Sequence, residues 1–379
     1  MQRLSRPRLA YFDYWLLGAT LVLAFIGVAM IYSATACITG EALDWESPAL
    51  RQAIYLAAGL GGMFVLTFVD YRVYATLRWP IWLFTIAILA IVSVIGLETH
   101  GAVRWIDLRV FLFQPSELSK LLLVLVVAKY MSDHEKEMTR WRILSLSFVF
   151  VALPLVLVYL QPDLGTAIVI AATWGIMALA AGMKLRDVLV ILAIGVVAAP
   201  LIWANLKDYQ QNRILTFVDP ERDPLGAGYN VTQARIAIGS GGLNGLGFCS
   251  GTQSQLRFLR VRQTDFIFSV IGEELGFVGS VFVVALFAFI LFRITRAAMM
   301  SRTAFGKIIA VGVVGMIFVQ SYVNLGMNLG LMPVTGIPLP FVSSGGSSLI
   351  SLLAAEGVVQ SILIHHHELE LAGSGKNYR

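Results

Sequence analysis

The stretch DFIFSVIGEELGFVGSVFVVALFAFILF, residues 265–292, decides the fold. It stays apolar for longer than a soluble core element needs, and it exceeds the roughly 20 residues that carry a helix across about 30 Å of hydrocarbon. Yet it opens on Asp265 and holds Glu273 and Glu274, where a helix surrounded by lipid should carry no charge. The whole chain has the same character. Of its 379 residues, 58% are hydrophobic and only 13% are charged, against about one-quarter charged in a soluble protein. Helices are the spanning element, because barrel strands alternate polar and apolar residues.

Working outward, the pattern predicts ten spans, at about 14–36, 53–69, 77–97, 114–131, 143–161, 163–182, 187–205, 265–292, 308–329 and 346–365. The expected fold is therefore all-α: a polytopic membrane protein of about ten helices forming a single integral domain over 1–379. One long extracytoplasmic loop is expected at about 206–264. Arg3, Arg6 and Arg8 precede the first span as in a signal peptide, but its apolar run is too long and nine more follow, so it reads as uncleaved. Alternate short loops are basic: Arg72 and Arg78; Lys136, Arg140 and Arg142; Lys184 and Arg186; Arg293, Arg296, Arg302 and Lys307. The bias of Lys and Arg toward the cytoplasm places both termini there.

The long loop breaks that bias. It carries Lys207, Arg213, Arg222, Arg235, Arg257, Arg260 and Arg262, and long segments cross regardless of charge. These cations read either as solubility or as a surface for an anionic substrate at the outer leaflet. The loop is rich in glycine, and its VTQARIAI reads as a short helix lying on the membrane. Cys37 and Cys249 both fall outside, so one disulfide is allowed but not demanded. The histidines at 365–367 are consecutive and share no helix face, so they read as a polar helix end rather than a metal site.

Three segments open alike: QPSELSK (114–120), QPDLGT (161–166) and QTDFIF (263–268), each at the outer start of a span. Singly, Glu117, Asp163 and Asp265 read as first-turn acids favoured by the helix dipole. Together they place three carboxylates at one membrane depth, and ionisable groups in spans mark sites or pathways. Lys120 follows Glu117 by three residues and can pair with it. Arg104 and Trp105 precede them in an outer loop. Acids with Lys and Arg suit a pyrophosphate bound with a divalent cation, leaving one carboxylate free as a base. On a continuous helix Glu273 lies about 80° around from Asp265 and roughly 12 Å further in, and Glu274 about 180° around. Asp265 therefore reads as the acting group, and the glutamates as mainly structural, with Glu273 a nearer support. Glu356, midway in the last span, is a buried acid with no assigned partner.

DPLGAGYNVTQARIAIGSGGLNGLG, GTQSQLRFL and TDFIFSVIGEELG (223–276), with RW (104–105), QPSELSK, QPDLGT and PLPFVSSGGSS (338–348), resemble the SEDS family (shape, elongation, division and sporulation) of bacterial membrane proteins, over nearly the whole chain. GSGGL followed by GTQSQL is more similar to the elongation branch than to the division branch. The resemblance implies a peptidoglycan glycosyltransferase in the cytoplasmic (inner) membrane, polymerising lipid II at its outer face during cell elongation. It implies a class B penicillin-binding protein as transpeptidase partner, other elongation-machinery membrane proteins, no nucleic acid, and a divalent cation (Mg2+ or Mn2+) held by Asp265 and Glu117. The family's essential aspartate falls on Asp265. Its substrate contacts fall on Glu117, Lys120, Arg104, Trp105, Asp163, Ser343 and Ser344, with Thr264 and Glu273 in support. Two departures stand out: LRVRQ precedes TDF where relatives often have a proline–acid pair and a histidine, and FVSSGG has no tyrosine. Two other readings fit the residues, a lipid-linked precursor flippase or transporter and a non-enzymatic scaffold for a transpeptidase.

Overall fold

The computed structural model describes residues 9–37, 44–45, 47–99, 102–107, 112–219, 222, 226–256, 258–259 and 261–365. Arg3, Arg6, Arg8, Arg257, Arg260 and the histidines at 366 and 367 lie outside the described residues. The chain runs through α1 (Tyr14–Thr35), α2 (Pro48–Phe68), α3 (Arg72–Thr76) and α4 (Arg78–Ile95) to three short strands, β1 (Leu97–Thr99), β2 (Ala102–Asp107) and β3 (Leu112–Phe113). Then follow α5 (Pro115–Asp133), α6 (Trp141–Leu160), α7 (Leu164–Ala180) and α8 (Leu185–Asn205). The long loop holds α9 (Asp208–Val218), α10 (Ala227–Ser240) and α11 (Thr252–Gln255). Last come α12 (Ile267–Met300), α13 (Ala304–Asn328) and α14 (Gly346–Ile364).

Every expected span is a helix. Among the described residues, α1, α2, α6, α12, α13 and α14 are long and apolar enough to cross a membrane, and α4 and α7 are shorter apolar helices. The antiparallel sheet, ordered β1-β2-β3, was expected as loop. Strands of two to six residues are too short for an alternating pattern to show.

Lipid offers no hydrophobic drive between helices, so close packing by small residues holds such bundles together. A side chain at Gly27 on α1 would lie 2.6 Å from the Val342 carbonyl, and one at Gly357 on α14 would lie 2.5 Å from that of Met63 on α2. α13 packs on α5, α7 and α12, and α14 packs on α2. These two helices carry several of the bundle's buried polar residues, including Gln320, Asn324, Asn328, Glu356 and Gln360. Near the start of α1, Asp13 caps the helix at Leu16 (3.0 Å), pairs with Arg293 of α12 (2.7 Å) and exchanges backbone bonds with Gln360 of α14. His365 closes α14 through Ser361 O (2.9 Å), in keeping with a polar helix end.

The deciding stretch departs from a simple span. α12 starts at Ile267, so Asp265 stands in the turn before it. The helix is also broken at Gly276 (φ 66°, ψ −162°). The break strands backbone groups, and the glycine-rich loop takes them up. Leu246 and Gly247 donate to the carbonyls of Glu273 (2.9 Å) and Glu274 (3.1 Å), while Phe277 and Val278 donate to Gly242 (2.9 Å) and Leu243 (3.1 Å). Non-helical backbone at a membrane is tolerated only where protein satisfies it in this way. The angular relation expected between Asp265 and Glu273 assumed that both sit on one helix; the turn at 261–266 places Asp265 instead.

Candidate active site around Asp265

Asp265 is held by its backbone. Its carbonyl accepts from the amides of Asn324 (3.1 Å) and Asn328 (3.0 Å), one turn apart on α13. Asn328 also accepts from the N–H (3.1 Å) and hydroxyl (2.6 Å) of Ser269, and so fixes the first turn of α12. From the other side comes the segment between α13 and α14. Ser343 donates to the Thr264 carbonyl (2.6 Å), and the Ser344 N–H donates to Gln263 O (2.9 Å). Gln52 of α2 steadies that segment through Ser343 O (3.0 Å) and the Gly345 N–H (3.1 Å). Ser343 and Ser344 were expected at substrate; here they shape the turn that presents Asp265.

The carboxylate lies beside Gly336, where an added Cβ would come within 3.7 Å of its Oδ2. Gly336 has φ 73°, which disfavours any side chain there. Asp265 is half-buried, and packing around it pushes its carboxyl above the usual range. Arg213, the Thr264 hydroxyl and Arg104 pull it back down. Arg213 reaches in from α9 and donates to Thr335 O (3.4 Å). A carboxyl poised upward beside two guanidinium groups is suited to take a proton and to meet an anion.

Asp163 is the second acid at this level. It caps α7 at Thr166, through the N–H (3.2 Å) and the hydroxyl (3.0 Å), and accepts from Gln114 at the start of α5 (3.2 Å). Arg104 of β2 pairs with it at 3.9 Å and donates to the carbonyls of Gln161 (3.0 Å) and Pro162. Two residues on, a Cβ at Gly165 would lie 2.9 Å from the Thr335 carbonyl. The 335–337 segment thus lies between the start of α7 and Asp265. Trp105 is half-buried in β2, opposite Leu97.

Glu117 and Lys120 do pair (2.8 Å), but they are only 3% and 4% exposed. Lys120 lines a cavity of about 10 Å³ with Thr173, Trp174 and Met177, room for about one water. One turn into α5, the pair braces the bundle behind the site. Glu117 gives one oxygen to Lys120, and its Oε2 has no hydrogen-bond partner. Among the described residues, no three His, Cys, Asp or Glu side chains stand together as metal ligands.

Glu273 and Glu274 are fully buried and fully engaged. Glu273 takes the N–H groups of Gln253 (2.6 Å) and Ser254 (3.0 Å) and the Thr252 hydroxyl (3.3 Å), capping α11. Glu274 takes the Ser33 hydroxyl (2.5 Å), the Cys249 N–H (3.2 Å) and Gln255 (3.4 Å). Their work is to fasten the loop. Cys37 and Cys249 form a disulfide. The sequence reading passed over Asn324, Asn328 and Gln52. The available signal was a pair of amides four residues apart in an apolar span, a pattern that marks interhelical hydrogen bonding.

The sequence model of the FtsW, RodA and SpoVE family of cell cycle proteins matches residues 14–368. The peptidoglycan glycosyltransferase MrdB of Escherichia coli (strain K12) is 40% identical over 364 residues, covering 95% of this chain and 96% of that protein. A solved structure on the coordination of polymerization and crosslinking by a peptidoglycan synthase complex superposes with a TM-score of 0.80 at 33% identity, covering 94% of this chain and 99% of that one. The rod shape determining protein RodA of Thermus thermophilus superposes at 0.69 with 30% identity, covering 94% and 97%.

Proposed function

The chain belongs to the FtsW, RodA and SpoVE (SEDS) family, and from that premise we propose that it is a peptidoglycan glycosyltransferase that polymerises lipid II at the outer face of the bacterial cytoplasmic membrane. The observation that carries this reading is the presentation of Asp265. It stands outside its helix, pinned through its own carbonyl, with its carboxyl lifted by burial and faced by Arg213 and Arg104. One lipid II offers a sugar hydroxyl; Asp265 accepts the proton as the oxygen attacks the anomeric carbon of the lipid-linked donor. The bond from that carbon to the pyrophosphate breaks, and the lipid pyrophosphate leaves with both electrons of the bond. Arg213 and Arg104 are the cations placed to meet the charge that develops there. Mg2+ is commonly held by one or two carboxylates together with substrate phosphates. Asp265 fits that pattern, and a cation shared with the pyrophosphate would add Lewis-acid stabilisation.

The Lys and Arg bias of the short loops supports both termini in the cytoplasm, and family membership supports a class B penicillin-binding protein as the cross-linking partner, with other elongation-machinery membrane proteins alongside. The flippase reading leaned on Glu273, Glu274 and Glu356 as steps of a polar path. The first two are committed to the loop, which leaves only Glu356 of α14 for such a path. The test is polymerisation of purified lipid II in detergent, with the chain alone and with a candidate partner, with and without chelator. Asp265→Asn should lose at least about a hundredfold in rate, the lower end of what a general base supplies. A variant that still polymerises at the parental rate overturns the assignment, as does a scaffold-like chain that makes no polymer under any condition.

A further inference from the structure

The segment leading into Asp265 is fastened to the outer end of α1 by several independent links. Cys249 is disulfide-bonded to Cys37, two residues beyond the end of α1, with Cα atoms 5.8 Å apart. Gln255 donates to Ser33 O (3.1 Å), and Glu274 joins the Ser33 hydroxyl to the Cys249 N–H. Arg262, one of the residues that depart from the family pattern, donates from its Nε to the Ala34 carbonyl. Asp265 follows three residues later, and the Phe266 N–H returns to Val261 O (3.5 Å). On this side Asp265 is thus referenced to α1, as on the other it is referenced to α13.

We propose that the Cys37–Cys249 disulfide and Arg262 form a clamp that positions Asp265, and that opening the disulfide slows glycan polymerisation without weakening substrate binding. This rests on the functional reading above. The links from Gln255, Arg262 and the Cys249 N–H are only part-buried and can exchange partners at small net cost, whereas the Ser33–Glu274 bond is buried and the disulfide is covalent. A dithiol reductant opens it in a balanced step. The S–S bond takes two electrons and two protons to give two thiols, and the reductant closes to its own disulfide. Both cysteines stand on the outer side, where such bonds persist.

The test uses the full-length chain, purified oxidised. Rates of lipid II polymerisation are measured before and after dithiothreitol, with thiols counted by maleimide mass shift. Amide exchange is followed at residues 249–256 and 261–266. Misplacing a catalytic group by about 1 Å can cost up to about a hundredfold, so kcat should fall about tenfold or more while KM stays within about twofold. Reoxidation should restore it, and exchange should rise in those two segments but not in α13. Cys37→Ser with Cys249→Ser should be slow and indifferent to reductant. Arg262→Lys should retain more of kcat than Arg262→Ala. Full reduction with unchanged kcat, or with a rise in KM alone, overturns the clamp. If neither redox form polymerises lipid II, the functional reading fails on its own, and exchange still decides whether the clamp exists: unchanged exchange overturns it.

Discussion

At the scale of single residues, Asp265 carries a carboxyl whose charged form burial disfavours. Burial lifts its carboxyl above the ordinary aspartate value of 3.8. Between the ordinary and the lifted value the native chain binds more protons than the unfolded one, so this group's contribution to stability declines as pH rises through that window. Asp265→Asn should therefore melt at a higher temperature than the parent at neutral pH while losing polymerisation; a lower melting temperature would make the carboxylate structural. The acid limb of the rate profile should stand above the usual aspartate range. Arg213→Gln should move it to still higher pH, because Arg213 holds the carboxyl down. Glu117 and Lys120 behave differently. Removing one partner of a buried pair costs about 3–5 kcal/mol, so Glu117→Gln should lower thermal stability sharply and Glu117→Gln with Lys120→Met should recover much of it. Asp265, Glu117 and Lys120 stood out in the sequence because charge is rare in spans. Their separation into a surface acid and an internal brace did not, since depth depends on which helices surround each one.

At the scale of elements, α12 is the instructive case. Its hydropathy runs unbroken across Gly276, so the sequence read one span from 265. The break depends on the loop at 241–256, whose glycines allow backbone to lie directly against backbone. A Cβ at Gly276 would come within 2.2 Å of the Gly245 nitrogen, in a conformation that already disfavours one. Gly276→Ala should lower the melting temperature and free the loop to protease, while Gly18→Ala, which meets nothing within 4 Å, should leave both unchanged. The small sheet was hidden for a related reason: pairing between pieces of two to six residues is decided by partners, not by local pattern. Asn324→Ala should reduce kcat with little change in KM, since its amide holds the Asp265 carbonyl and the Ile337 carbonyl (2.8 Å).

At the scale of the whole molecule, the ten apolar runs were legible because a bilayer imposes one length and one composition on every crossing. Orientation is the remaining inference at this scale. With Cys37 and Cys249 replaced by serine, a cysteine at Phe248 should react with an impermeant maleimide on intact cells, and one at Ser301 only after permeabilisation. The opposite pattern would invert the topology.

The setting of Asp265 comes late in the chain. Asn324, Asn328, Gly336, Ser343 and Ser344 all follow it, and the last helix anchors the segment that carries the serines. During synthesis the Asp265 carboxylate emerges well before the residues that hold its turn. A nascent or prematurely ended chain would therefore carry the acid without its alignment, and competence would arrive only with the final membrane crossing.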